Sequence, residues 1–67
     1  MNIAGMSTSG LLKMYNAVKD ALDVDDNLPE SHPKVYGVRE FPDWRAWADT
    51  LEAELDKRNV NYHKINW

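Results

Sequence analysis

Apolar side chains recur at helical spacing in two separate runs of this chain, and two of its three prolines, Pro29 and Pro33, fall between them. From Ser9 to about Asp23 the run holds Leu11, Met14, Tyr15, Val18, Ala21 and Leu22, which at about 100° per residue form one stripe of an amphipathic helix. From Pro42 to about Arg58 it holds Trp44, Trp47, Ala48, Leu51 and Leu55. The segment between, "VDDNLPESHPK" at 24–34, cannot continue a helix, because each proline lacks an amide hydrogen and clashes with the preceding turn. The expected fold is therefore mainly α: two antiparallel helices, about 9–23 and 42–58, joined by a proline-rich connector at 24–34 and burying their stripes against each other. Its expected core is Leu11, Tyr15, Val18, Leu22, Trp44, Leu51 and Leu55.

The ends of the two helices read differently. Ser7, Thr8 and Ser9 are all able to accept a bond from the first free amides, with Ser9 favoured because it adjoins the periodic run. Asp20, Asp23, Asp25 and Asp26 crowd the far end of that helix, where the macrodipole disfavours negative charge, so fraying near Asp23 is expected. Pro42 suits a first helical turn and Asp43 complements its dipole. Asn59 suits a left-handed cap, with Val60 as the apolar residue beyond it. "KVYGVREF" at 34–41 and the tail at 60–65 read as short extended segments, and their pairing in a small α+β fold with a two-stranded sheet is the alternative. Leu28 is expected to pin the connector. Residues 1–8 are expected to be frayed, and Met6 competes with Met1 as the native start.

A chain of 67 residues is one small domain that needs help or very good packing to be stable. It contains no cysteine, which removes disulfides and thiolate zinc sites, and two isolated histidines, His32 and His63, do not make a metal centre. No apolar run approaches the roughly 18–20 residues that span a bilayer, and the first ten residues lack the pattern of a secretory signal; a cytoplasmic protein is the expectation. The formal net charge of −3 weighs against a phosphate-neutralising role. A nucleic-acid reading would rest on Arg39, Arg45, Lys57, Arg58 and Lys64, and eleven carboxylates oppose it.

Chemical motifs are missing. Asp23, Asp25 and Asn27 alternate as in the first half of a calcium loop, but Leu28 stands where that loop needs glycine and Lys34 where it needs a bidentate glutamate. No GxSxG turn or phosphate-cradling loop exists around the three glycines at 5, 10 and 37. No catalytic, metal or cofactor-binding residue is assigned, and an enzyme is not expected.

What remains is aromatic surface. Three tryptophans, three tyrosines and one phenylalanine are many for this length. Trp44 lies at the centre of the second stripe and reads as core, whereas Trp47 lies about 60° to one side, beside Glu54 and Arg58. Trp67 either folds back onto Tyr36 or Val38 or awaits a second chain. Tyr36, Trp47, Tyr62 and Trp67, with Arg58 and Glu54, are the partner-binding candidates. The expected function is a non-enzymatic protein-binding accessory module of the inhibitor or adaptor type, a size and charge also found among phage and mobile-element proteins. Its partner would be a larger protein, met through an aromatic patch flanked by acidic residues such as Asp49, Glu52 and Asp56. Self-association as a structural or assembly subunit is the alternative.

Overall fold

The computed structural model describes residues 2–67, and its architecture is a helical hairpin. A 3-10 turn at Ile3–Gly5 precedes α1, Thr8–Asp26, and α2, Pro42–Lys57. The helices run antiparallel, since Thr8 at the start of α1 meets Arg58 just past α2, and Tyr15 meets Glu52. The described residues contain no strand. The Cα trace extends 41 × 21 × 16 Å, about two helices wide and little more than one thick.

Six of the seven expected core side chains are buried: Leu11, Tyr15, Val18, Leu22, Leu51 and Leu55. Trp44 is a correction. It is half-buried, stacked edge-to-face on Tyr36 with ring centroids 6.1 Å apart, and the large side chain at the sealed centre is Tyr15, 1% exposed. The reason is position along the axis: Trp44 belongs to the first turn of α2, beside the connector, while Tyr15 lies opposite Glu52 further along α2. The Tyr15 hydroxyl donates to Glu52 Oε2 at 2.6 Å and accepts from the Ile65 amide at 2.9 Å, so the ring is buried and its polar atom is satisfied. Burial first, and then the Glu52 carboxylate, push its phenol up to about 12. Val38 and Ile65, from outside the helices, complete the core with Ala21 and Ala48.

Helix α1 begins earlier and ends later than expected. Ser7, not Ser9, is the cap, its Oγ accepting from the Gly10 amide at 3.0 Å. Met6 and Leu11 then occupy the two positions of a hydrophobic staple, and both pack into the core. At the other end the helix continues to Asp26 instead of fraying at Asp23, because the acidic residues there are compensated. Asp25 is fully buried, and its Oδ1 accepts from the amides of Val35 and Tyr36 at 3.1 Å while Oδ2 accepts from Val38 at 3.0 Å. Burial alone would raise the Asp25 carboxyl, but the amides of Val38, Tyr36, Val35 and Gly37 together outweigh it and hold the group below its ordinary 3.8. Asp26 makes a two-bond pair with Arg39, both at 3.0 Å.

The same bonds overturn the strand alternative. With the amides of residues 35, 36 and 38 turned onto one carboxylate, the 34–41 segment does not pair with the tail as a strand. It forms turns instead, reversing at Gly37 with φ +68°, where an added Cβ would stand 2.6 Å from the Phe41 ring. The connector is thus held by Asp25, with Leu28 half-buried. Helix α2 ends in a Schellman arrangement: Asn59 is left-handed at φ 56°, its amide donates to Asp56 at 3.0 Å, and Val60 donates to Leu55 at 3.1 Å. Residues 2–8, expected to be loose, are placed against α2. Ile3 and Met6 pack on the core, and Arg58 donates to the carbonyls of Ile3 and Ala4 and to Thr8 Oγ1 at 3.3, 3.1 and 3.2 Å.

Candidate functional site

A two-helix hairpin has two lateral grooves, one along each side of the seam. Residues 60–67 fill one of them. The tail returns along the α1 flank of Lys19 and the α2 flank of Arg45, Glu52 and Asp56: Tyr62 donates to Asp56 at 2.8 Å and meets Tyr15 edge-to-face at 5.2 Å, and Lys19 donates to the His63 carbonyl at 3.1 Å. Trp67 lies beneath the Arg45 guanidinium, 5.4 Å from ring centroid to cation, and its main-chain oxygen accepts from Arg39. Burial, and then the hydrogen bond to Asp56, raise the Tyr62 phenol well above its ordinary value.

The opposite groove is open. Its floor and α1 wall are Met14, Ala17, Val18, Ala21 and Val24, its α2 wall is Trp44 and Trp47, and Tyr36 closes the connector end. It encloses about 460 Å³. Beyond the groove the 3-10 turn is fastened to the end of α2 by Arg58. Asp20 is the one charged side chain lining the groove, and Asp43 stands one turn before Trp47 on the same flank of α2. Val24 and Tyr36, both in the groove lining, are 44% and 45% exposed. The groove has no set of converging polar groups to orient a small molecule.

The expected four-ring patch therefore does not exist as one surface. Tyr36 and Trp47 share the open groove, with Trp44 added to them. Tyr62 and Trp67 lie across the hairpin, on the side the tail covers, and Trp67 lines a separate hollow with Val38, Phe41 and Arg45. Glu54 and Arg58 are bonded to each other at 2.8 Å, and Arg58 also holds the N-terminal turn, so this pair is part of the scaffold. Asp49, Glu52 and Asp56 lie on the tail side, two of them hydrogen-bonded to tyrosines. Of the cations behind the nucleic-acid reading, Arg39 and Arg58 are in internal ion pairs.

Of the groove's lining only Tyr36 and Trp47 were expected there; Met14, Val18, Ala21 and Trp44 were read as stripe residues facing the core, and Ala17 and Val24 were assigned no role. Their signal is present in the sequence: Met14, Ala17, Ala21 and Val24 fall at i, i+3, i+7 and i+10, a second stripe beside the core stripe of α1. A helix apolar over so wide an arc covers more than one neighbour.

Comparison of the chain with protein-family models, with curated proteins and with solved structures finds no match. Among the described residues no helix is long and apolar enough to cross a membrane.

Proposed function

We propose that this chain is a small, non-enzymatic protein-binding module of the inhibitor or adaptor kind, and that it engages its partner through the groove walled by Tyr36, Trp44 and Trp47. One observation carries this reading: the hairpin covers one lateral groove with its own tail, leaving there a hollow rimmed by Arg39, Glu40, Arg45 and Asp49, and leaves the other, lined by three aromatic rings and a methionine, open to water. Partly exposed Trp and Tyr side chains supply large contact area at low entropic cost, which is why they are concentrated in binding hot spots. Outside the groove Arg39, Arg58, Tyr15 and Tyr62 are tied down by internal bonds, and the exposed Val35 and Phe41 belong to the connector rather than to a helix wall.

Ala17→Arg is the probe for this function. Ala17 is exposed in the middle of α1, and arginine is a good helix former, so the change fills the groove with a cost to stability of only about 0.5 kcal/mol or less. Peptides selected from a displayed random library against the wild-type protein are expected to lose at least about tenfold in affinity for Ala17→Arg and for Trp47→Ala. Failure to enrich any binder, or binders indifferent to both substitutions, would remove the proposal.

A further inference from the structure

Resting on that binding role, we infer that the occupant of the open groove is an amphipathic helix of a partner protein, apolar on the inserted face and basic at its flanks, lying along the hairpin as a third helix.

The two grooves differ in what they offer a backbone. The tail is extended, and its polar backbone atoms are served by side chains: Tyr15 Oη takes the Ile65 amide, Lys19 takes the His63 carbonyl, and Arg39 takes the carbonyls of Asn66 and Trp67. The open groove has no such equipment. Its walls are aliphatic and aromatic, and the polar side-chain groups it offers are one carboxylate, the Tyr36 hydroxyl and two indole N–H groups, too few to serve the backbone of an extended segment. Because the backbones of α1 and α2 are bonded within themselves, neither wall has a ladder for a strand to join. An extended segment laid there would bury unpaired amides and carbonyls, each a substantial penalty. A helix satisfies its own backbone and presents only side chains, which suits it to such a groove.

Length and charge narrow the occupant further. From Met14 to Val24 the α1 wall rises about 15 Å, enough for roughly three turns of an incoming helix with apolar anchors at i, i+3 or i+4, and i+7. Asp20, the one charged side chain in the groove lining, is placed to meet a lysine or arginine on the incoming flank, Asp43 lies one turn before Trp47, and the chain's net charge of −3 favours the same sign of partner.

The test uses three synthetic peptides of about fifteen residues: leucine and lysine at helical period, leucine and glutamate at helical period, and leucine and lysine in strict alternation. Each is titrated against wild type, Ala17→Arg and Asp20→Lys, followed by tryptophan fluorescence, amide chemical-shift mapping and circular dichroism. The helical-period lysine peptide is expected to bind wild type with a gain of helix. Its shifts should centre on residues 14–24, 44 and 47, with affinity falling about tenfold or more on Ala17→Arg and about threefold or more on Asp20→Lys. Equal binding by the alternating or the glutamate peptide overturns the inference, as does no binding by any. So does a dimer in sedimentation that Ala17→Arg disrupts, since the groove would then take a second copy. In each of these cases the library selection still decides whether the groove binds protein at all: groove-dependent binders of extended or acidic type keep the binding role and discard the basic helix.

Discussion

At the scale of single residues, Tyr15 and Asp25 organise the fold, and neither role is visible from residue type. Tyr15 joins α1, α2 and the tail through one hydroxyl. Replacing it with phenylalanine keeps the ring but leaves the Ile65 amide buried without a partner, and a loss of about 1–3 kcal/mol is expected in denaturant unfolding. The raised phenols of Tyr15 and Tyr62 also set an alkaline limit. The unfolded chain releases these protons from about pH 10 upward while the folded chain retains them, so stability falls between pH 10 and about 12. Ionisation of both rings, read by ultraviolet absorbance, should coincide with loss of helical circular dichroism. For Asp25 the sign is opposite: its lowered carboxyl contributes stability above its ordinary 3.8 that is lost as pH falls through the folded value. Asp25→Asn should flatten that acid limb and expose the amides of Val35, Tyr36 and Val38 to hydrogen exchange.

At the scale of elements, the helices were legible and the irregular segments were not. Periodicity located both stripes, Pro42 and Asn59 marked the limits of α2, and six of seven core side chains followed. The end of α1 was misread because charge was weighed only against the helix dipole. Whether four clustered aspartates fray a helix depends on what approaches them, and the amides and Arg39 that do so come from residues 10 to 13 positions further on. Residues 34–41 looked like a strand for the same reason: β-branched and aromatic side chains report a half-buried surface, not where the amides are directed. Gly37 was the available clue to a turn. Gly37→Ala is expected to destabilise by more than about 1 kcal/mol in thermal unfolding, since it imposes both a left-handed alanine and a collision with Phe41. Trp44→Ala should cost less than Leu51→Ala, for which about 2–5 kcal/mol is expected from a fully buried leucine.

At the scale of the whole molecule, stability is shared among segments far apart in sequence. Arg39 joins the end of α1 through Asp26 and the tail through residues 66 and 67. Arg39→Ala is therefore expected to raise hydrogen-exchange rates at Val38 and Ile65 together, while amides in the middle of α2 remain protected; a change confined to one segment would show that they open independently. The candidate site was only half legible at this scale. Tyr36 and Trp47 were assigned to it from sequence, but the course of the tail, which separates them from Tyr62 and Trp67, is fixed by contacts that no local pattern encodes.

The two flanks of the hairpin also differ in how freely they can vary. On the tail side a substitution disturbs Tyr15, Ile65 or Arg39 and with them the fold. On the other side Ala17, Asp20 and Val24 project from a helix that is already fastened at both ends. Exchanges at those three positions should leave the architecture standing while changing which guest it accepts, so that one scaffold could be readdressed from one client to another by altering a single strip of its surface.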